Sequence, residues 1–361
     1  MTLAVKLPNL LDLSFHQLED LVISLGEPPF RARQVWQWLW QKAVASPLSM
    51  TNLSKALRER LAEVAVIRVP RVADKLESSD GTVKFVLEVG QGEDAAAIET
   101  VLIPEKTHYT QCLSTQAGCA MACTFCRTGQ MGLTRNLTQA EILGQILVAK
   151  AHLAGVNTRL NLRNLVFMGM GEPLLNYNNL LQSLEALRHP QGLDISSRRI
   201  TVSTVGIVPG LLEFGRSGMG ALAVSLHAPT QELRERLMPK AAKALPLPKL
   251  MDVLKQIPLK PRESITFEYV LLGGVNDSLQ EARELVRLMS HIKGKVNLIA
   301  YNESPGLPYK TPDPAAVEAF QKVLWDKEIT VTLRKSKGRD IFAACGQLLA
   351  AHEMGEEKRE E

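Results

Sequence analysis

Apolar residues recur at helical spacing in the first part of the chain. The segments 12–26, 30–42 and 50–64 repeat their apolar side chains three and four residues apart, which predicts amphipathic helices. Ser14 is a typical capping residue with Glu19 nearby, and Trp36 and Trp40 share one face of the second helix. We predict a small helical domain over residues 1–78, with both tryptophans in its core.

The period of the pattern changes near residue 80. The stretch GTVKFVLEVGQGEDAAAIETVLIP alternates apolar and polar residues and is bounded by Gly, Asp and Pro. Such alternation between turn residues is typical of a β-hairpin. We therefore predict a hairpin extension over residues 79–104.

Apolar, β-rich runs then alternate with helical runs, which predicts a parallel sheet with helices outside it. Six such strands are too few for a closed eight-stranded barrel. The first prediction is an α/β fold with a partial (β/α)6 barrel over residues 105–350, and a doubly wound sheet is the alternative. The charged, apolar-poor tail at 351–361 is predicted to be disordered. The predicted strands are TQCLST, NLVFMGM, RITVSTVG, ALAVSLHA, SITFEYVLL and KVNLIAYN.

Composition narrows the class of protein. The 361 residues are 45% hydrophobic and 22% charged, as in an ordinary globular protein with a core. No run of 18 apolar residues and no signal-peptide pattern is present, so we expect neither a membrane partner nor export. Five cysteines, an odd count, disfavour a secreted disulfide framework and fit a reducing cytoplasm. The net charge of +4 permits nucleic-acid binding without requiring it.

Four of the five cysteines lie in the short segment CLSTQAGCAMACTFC. A disulfide knot, a zinc site, a redox pair and an iron–sulfur cluster are the candidate explanations. Cys119, Cys123 and Cys126 form a C-x3-C-x2-C pattern after the first barrel strand, but a structural zinc site needs four ligands and no second cysteine pair follows. Three thiolates on one loop can instead bind three irons of a 4Fe-4S cluster and leave the fourth iron open to a substrate.

Polar and special residues gather where the predicted strands end. Ligands of parallel α/β folds bind at the carboxyl ends of the strands. A binding site is therefore expected at this edge before any motif is considered. The residues are Cys112, Gly171, Glu172, Ser203, Ser225, Leu226, His227 and Asn302.

Several long motifs together resemble a known family. The cysteine pattern with Phe125 before its last cysteine is similar to that of the radical SAM superfamily, which uses S-adenosylmethionine (SAM). The segments CLSTQAGCAMACTFC, FMGMGEPLLN, VSTVGIVP, VSLHAP, NLIAYNESPG and GRDIFAACGQL resemble the adenine-C-methyltransferases of ribosomal and transfer RNA, the RlmN/Cfr family. The resemblance runs from about residue 8 to residue 350 and implies one 4Fe-4S cluster and two SAM molecules per turnover.

The resemblance implies a role for the two cysteines outside the cluster motif. An adenine ring carbon is too electron-poor to attack SAM directly, so the family uses radical chemistry. Cys345 takes a methyl group from one SAM; a radical from a second SAM then activates that methyl, which adds to the adenine. Glu99 matches the base that removes the ring proton. Cys112 then attacks the sulfur of Cys345, which releases the RNA and leaves a disulfide.

The resemblance also implies the SAM contacts. Gly171 allows close backbone approach and Glu172 accepts from the ammonium group, while Ser203, Ser225 to His227 and Asn302 bind the rest. Each of these has a simpler interpretation as ordinary polarity at a strand end, and His227 as a structural histidine. Cys112 and Cys345 could likewise be buried packing residues, and Glu99 a solvent-facing strand residue.

RNA contact is expected beside Cys345, because backbone charge supplies most non-specific affinity. The basic residues there are Arg334, Lys335, Lys337 and Arg339. A solvated charge run is the alternative, and the tryptophan helix is a second candidate contact. The implied partners are 23S rRNA, tRNA and an electron donor such as a flavodoxin or ferredoxin system. The protein itself is expected to be a cytoplasmic monomer. Carbon-2 of adenine is the expected target. Carbon-8 methylation and a non-catalytic iron–sulfur RNA-binding protein are the alternatives.

Overall fold

The N-terminal part of the protein is a bundle of three helices. The computed structural model describes residues 7–156 and 158–349, so the tail predicted at 351–361 lies outside the described residues. Ser14 caps the first helix as predicted, although its capping-box partner is Gln17 rather than Glu19. The bundle comprises α1 (Phe15–Ser24), α2 (Phe30–Trp40) and α3 (Lys55–Val64), with short 3-10 turns at Leu10–Asp12 and Pro47–Ser49.

The tryptophans of α2 form the core of this bundle. Trp36 is 1% exposed and Trp40 is 0% exposed, and their rings meet edge to face with centroids 5.6 Å apart. Trp36 also meets Phe15 and His189, so it joins the bundle to the rest of the molecule. The prediction that both tryptophans are core residues is confirmed.

A ten-stranded mixed sheet forms the body of the protein. Along its first four strands, each strand is antiparallel to the next. The strands along the chain are β1 (Arg71–Glu77), β2 (Val83–Val89), β3 (Ala96–Pro104), β4 (Tyr109–Cys112), β5 (Gln116–Gly118), β6 (Leu133–Asn136), β7 (Leu162–Phe167), β8 (Ile200–Thr204), β9 (Ala221–Ser225), β10 (Ile265–Leu271), β11 (Gly294–Ala300) and β12 (Val331–Arg334). Ten of these strands form this sheet, and β5 and β6 pair in a separate two-stranded sheet.

The predicted hairpin is present as β2 and β3, and it is extended by one strand. Residues 71–77, which we expected in the helical domain, form β1 and pair with β2. Nearly every residue of β1 is exposed, so its sequence RVADKLE carries no period-two apolar signal. The last helix of the N-terminal bundle ends at Val64, the end of the predicted helical segment, and β1 begins at Arg71.

The parallel part of the sheet confirms the α/β class. Its order is β4, β7, β8, β9, β10, β11, β12, which is the order along the chain. A doubly wound sheet would reverse direction at a switch point, so that alternative is wrong. The sheet is open, as a partial barrel requires. It has one parallel strand more than the six predicted. The sequence did not reveal β12, because this strand is short and largely exposed.

Helices follow most parallel strands, and buried apolar side chains fill the space between them and the sheet. No helix within the two described ranges is long and apolar enough to cross a bilayer. The remaining helices are α4 (Arg127–Gln130), α5 (Gln139–Gly155), α6 (Tyr177–Arg188), α7 (Gly210–Ser217), α8 (Gln231–Leu237), α9 (Pro239–Ala244), α10 (Leu247–Lys255), α11 (Leu279–Met289) and α12 (Pro314–Trp325), with 3-10 turns at Gly92–Asp94, Pro173–Asn176, Ser197–Arg199 and Arg339–Ile341.

Candidate active site

The three-cysteine motif occupies a loop between β5 and α4. The Cys119 amide donates to the carbonyl oxygen of Gly132 at 2.7 Å, which anchors the loop to the small β5–β6 sheet. The Thr124 amide donates to the carbonyl of Leu237 at 3.0 Å on the opposite side. A Cβ on Gly129 would come 3.0 Å from the backbone nitrogen and oxygen of Cys123, so a glycine is required for this tight wrap.

The three thiols fit a cluster better than a single metal ion. None forms a disulfide, and each is partly exposed at the residue level. Burial raises the pKa of the Cys119 thiol to about 12 and that of Cys123 well above its usual value, and neighbouring thiols raise both further. Across residues 7–156 and 158–349, no three His, Cys, Asp or Glu side chains converge on one metal position. A cubane cluster suits this spacing, because each thiolate binds a different iron.

The segment that carries Cys345 lies directly against this loop. The Arg127 amide donates to the carbonyl of Gly346 at 2.8 Å, and the Thr128 hydroxyl donates to the carbonyl of Leu348 at 2.7 Å. Each of Arg127 and Gly346 directly follows a cysteine in the sequence. The structure therefore brings Cys345 to the cysteine loop, although the two are more than two hundred positions apart in the chain.

Cys112 and Cys345 are electrostatic neighbours. Cys112 ends β4 and is 8% exposed. Burial raises the pKa of its thiol to about 12, with a further rise from the charge of Cys345. Both thiols also interact electrostatically with the half-buried Arg334: the charge of Cys345 raises the pKa of its guanidinium, and Glu268 and Cys112 act in the same direction. Lys335 and Arg339 of the same basic run are exposed.

Glu99 is buried, so the interpretation as a solvent-facing strand residue is wrong. Its side chain is 1% exposed and its Oε1 lies 3.1 Å from Nζ of Lys84. Its Oε2 accepts from the Leu349 amide at 3.0 Å, which ties it to the segment beyond Cys345. Burial raises the pKa of the Glu99 carboxyl, and the Lys84 ammonium opposes that rise.

Gly171 and Glu172 follow β7 in a turn that only glycine allows. Gly171 has φ +100°, and a Cβ there would lie 2.5 Å from Cβ of Gln116. The carboxylate of Glu172 accepts from Thr204 Oγ1 at 2.6 Å and from the Val205 amide at 2.9 Å. It also accepts from the Leu174 amide at 3.0 Å. A carboxylate offers about four lone pairs, so one acceptor position remains for an ammonium group.

A row of polar side chains crosses the sheet from the end of β8 to β12. Ser203 and Ser225 place their hydroxyl oxygens 3.3 Å apart. Ser225 is paired in register with Glu268, whose Oε2 accepts from Asn297 Nδ2 at 2.7 Å. Thr332 Oγ1 donates to Oδ1 of Asn297 at 2.9 Å, which completes the row. The predicted residues Ser203 and Ser225 therefore face one another across the expected edge.

His227 is a hydrogen-bonded interior residue that also contacts the cysteine loop. Its Nδ1 accepts from the Val270 amide at 3.1 Å, and its ring meets Phe125 edge to face at 5.0 Å. Burial lowers the pKa of His227 to about 3, and the charge of Arg234 acts in the same direction. The ring is neutral near pH 7. The contact with Phe125 places the 225–227 segment beside the three cysteines.

Arg234 is a site residue that the sequence did not suggest. Its guanidinium is 0% exposed and donates to the carbonyls of Ser225, Leu226 and Val205 at 3.2, 2.9 and 2.8 Å. It therefore fixes the backbone of two strand ends. One signal was present: Arg234 lies three and four residues before Leu237 and Met238, on the apolar stripe of its helix.

Asn302 lies two residues after the end of β11 and lines two cavities. Its Nδ2 donates to Ser336 Oγ at 2.8 Å, so it joins the end of β11 to the basic loop. The cavities have volumes of about 440 and 280 Å³. The larger is also lined by Arg339, Phe342 and Gln347, so the predicted residue and the Cys345 segment border one space.

Known proteins match this chain over most of its length. Residues 8–67 match the ribosomal RNA large subunit methyltransferase N-terminal domain, and residues 113–288 match the radical SAM superfamily. A dual-specificity RNA methyltransferase RlmN of Solidesulfovibrio magneticus is 64% identical over 342 residues, 95% of this chain and 96% of that protein. One of Geobacter sulfurreducens is 47% identical, covering 93% and 90%.

A solved structure matches over the same extent. The crystal structure of a radical SAM methyltransferase from Sphaerobacter thermophilus superimposes with a TM-score of 0.88. The two sequences are 39% identical, and the match covers 95% of this chain and 99% of the other. The helical bundle, the sheet and the cysteine loop therefore fall within one shared architecture.

Proposed function

The chain belongs to the RlmN family of radical SAM RNA methyltransferases, and from that premise we propose that it methylates carbon-2 of adenine in 23S rRNA and in tRNA. The rRNA target is the adenine of the peptidyl-transferase centre, and the tRNA target is the adenine beside the anticodon. Each methyl group reaches the base through Cys345 and a covalent protein–RNA intermediate.

One contact carries the assignment of Cys345. The hydrogen bond from the Arg127 amide to the Gly346 carbonyl, 2.8 Å long, joins the residue after Cys126 to the residue after Cys345. A methyl carrier must lie beside the place where the radical forms, because a radical abstracts hydrogen only at contact distance. A cysteine with only a packing role would not need to be next to the cluster loop.

The residues of the loop and of the strand ends have distinct tasks. Cys119, Cys123 and Cys126 would bind a 4Fe-4S cluster, which would supply the electron that cleaves SAM to a 5′-deoxyadenosyl radical. Glu172 is the acceptor for the SAM ammonium group, with Gly171 keeping the backbone clear. Ser203, Ser225, Leu226, His227 and Asn302 are the remaining SAM contacts, through hydroxyl, backbone and amide groups.

The two other thiols act before and after the radical step. Cys345 accepts a methyl group from the first SAM as a thiolate, and its charge raises the pKa of the Arg334 guanidinium, which therefore keeps its positive charge beside the thiols. After the carbon–carbon bond to adenine forms, Glu99 accepts the ring proton. Cys112 then attacks the sulfur of Cys345 as a thiolate, so an S–S bond forms while the carbon–sulfur bond breaks. The electron pair of the broken bond stays with the released methylene carbon, which takes up a proton and becomes the methyl group.

The partners follow from the same chemistry. The disulfide left after each turnover must be reduced, and SAM cleavage needs one electron, so a donor such as a flavodoxin or ferredoxin system is required. Five free thiols and RNA substrates fit a cytoplasmic enzyme that acts as a monomer. Lys335 and Arg339 are the exposed cations nearest Cys345 in the sequence, and they are the first candidates for phosphate contact.

Nucleoside mass spectrometry tests this function. The anaerobically reconstituted, reduced protein is incubated with SAM and unmodified 23S rRNA or tRNA, and the RNA is digested to nucleosides. We expect 2-methyladenosine from both RNAs, and none from the Cys345→Ala variant. A product methylated at carbon-8 would show that the enzyme methylates carbon-8 and not carbon-2 of the adenine. Unmethylated RNA, together with no formation of 5′-deoxyadenosine, would indicate a non-catalytic iron–sulfur protein.

A further inference from the structure

Lys84 and Glu99 form an ion pair in the interior of the protein. Their side chains are 3% and 1% exposed, and Nζ lies 3.1 Å from Oε1. Burying two charges is unfavourable unless they are paired and well hydrogen-bonded, and the gain from pairing often does no more than offset the cost. A pair in such a position therefore calls for an explanation other than stability.

Strand pairing explains why these two groups meet. Lys84 lies opposite Val101 in the antiparallel β2–β3 pair, and Val101 lies opposite Cys112 in the β3–β4 pair. Residues that lie directly opposite project from the same face, as does Glu99 two residues before Val101. Lys84, Glu99 and Cys112 thus share the face of the sheet on which the Cys345 segment packs.

Both members of the pair also hold the Cys345 segment. Nζ of Lys84 donates to the carbonyl of Phe342 at 3.3 Å, three residues before Cys345. Oε2 of Glu99 accepts from the Leu349 amide at 3.0 Å, four residues after it. The ion pair therefore spans the loop on both sides of the methyl-carrying cysteine.

We propose that Lys84 is a positioning residue, which keeps Glu99 ionised and fixes it relative to the loop of Cys345. The inference rests on the proposed function. In the deprotonation step, the proton on the substituted ring carbon passes to an oxygen of Glu99, and the electron pair of that C–H bond stays in the ring. Only the carboxylate form can accept this proton, so its charge state at working pH decides whether the step proceeds.

The charges around Glu99 make Lys84 the dominant partner. Burial raises the pKa of Glu99, and among the groups that lower it the Lys84 ammonium acts most strongly. The Leu349 amide and the more distant guanidinium of Arg127 are the remaining groups that face it. Without Lys84, burial alone would favour the protonated acid, which cannot act as a base.

The pH profile of methyl transfer tests the proposal. An opposite charge at this distance lowers a carboxyl pKa by about 1–3 units. Lys84→Met should therefore move the acidic limb of the kcat profile upward by about that amount, and Lys84→Arg should restore it. Lys75→Met is the matched control, because Lys75 forms an exposed ion pair with Glu77. Both residues lie on β1, the strand next to β2. The profile of this control variant should stay unchanged.

A second readout covers the case in which Lys84→Met does not fold. Lys84→Gln keeps a hydrogen-bond donor for Glu99 but no charge, so it should show the same upward shift. Hydrogen exchange of the Leu349 amide is measured in the same proteins without RNA, and it should accelerate at least tenfold when the charge is removed.

An acidic limb and a Leu349 exchange rate that both stay at the wild-type values in folded Lys84→Gln would overturn the proposal. If the wild-type protein itself made no methylated RNA, the proposed function would fail instead. The exchange measurement would still report whether Lys84 fixes the loop.

Discussion

The guanidinium of Arg234 donates to the carbonyl oxygen of Leu226 at 2.9 Å from a fully buried position. The same group reaches the carbonyls of Ser225 and Val205, so one cation on α8 fixes the ends of β8 and β9. A guanidinium presents several donors in one plane, which a lysine ammonium cannot reproduce. The edge that we propose binds SAM thus depends on a buried residue of the neighbouring helix.

Replacement of Arg234 by lysine should loosen that edge. We expect Arg234→Lys to lose about 1.5–3 kcal/mol of stability, because carbonyls remain buried without donors. SAM affinity should fall by about tenfold, which corresponds to about 1.4 kcal/mol. Thermal unfolding and equilibrium dialysis with labelled SAM measure the two effects. Arg236→Lys on the exposed side of the same helix is the control and should change neither value.

The buried His227 predicts a pH dependence of stability. Its folded pKa of about 3 lies below its unfolded value near 6.5, so folding favours the neutral ring. The contribution is complete above about pH 6.5 and is lost as pH falls toward 3, at about 1.4 kcal/mol per unit. Urea unfolding between pH 7 and 5 should show this slope, and His227→Gln should flatten it. The exposed His291→Gln should keep the wild-type slope.

Gly346 should not tolerate substitution, and the reason is its backbone conformation and not a lack of room for a side chain. Its φ is +82°, and a Cβ would meet only Phe125 O at 3.4 Å and Cys126 Cα at 3.9 Å. Gly346→Ala therefore costs backbone strain of about 1–2 kcal/mol and shifts the neighbouring thiol. We expect at least tenfold slower methyl transfer with unchanged iron content. Gly274→Ala, at φ +70° with open space, carries the same strain and should leave the rate intact.

The iron content of cysteine variants tests the cluster assignment. Cys123→Ala removes one of three thiolates on the loop, so we expect loss of the cluster and of reductive SAM cleavage. Cys112→Ala is the matched control and should retain full iron content. Iron and sulfide assays with electron paramagnetic resonance of the reduced protein distinguish the two. A full cluster in Cys123→Ala would show that the ligand set is wrong.

The apolar pattern was sufficient for most of the fold and insufficient at its edges. The buried parallel strands and the helices around them were visible as alternating runs, because burial on one or both faces imposes a period. β1 and β12 are largely exposed, so their sequences carry no such signal. Their positions are set by pairing with neighbouring strands, which a local pattern does not contain.

The site was predictable where chemistry is encoded in motifs and not where it depends on burial. The cysteine spacing pointed directly to a cluster loop. Lys84 shares a face of β2 with Glu88 and looks solvent-exposed in the sequence, yet it is buried and donates to Phe342 of the distant Cys345 segment. Arg334 was expected at the RNA surface, yet it is half-buried and interacts electrostatically with the two thiols. Contacts between residues far apart in the chain decide such cases.

The covalent protein–RNA adduct is the most direct test of the central claim, that Cys345 carries the methyl group and Cys112 releases it. The variants Cys112→Ala and Cys345→Ala are expressed in cells and examined on a denaturing gel with and without nuclease. Cys112→Ala should accumulate an adduct that survives denaturation and disappears with nuclease, because no thiolate can attack the Cys345 sulfur. Cys345→Ala should accumulate none. Equal adduct levels in the two variants would contradict the mechanism.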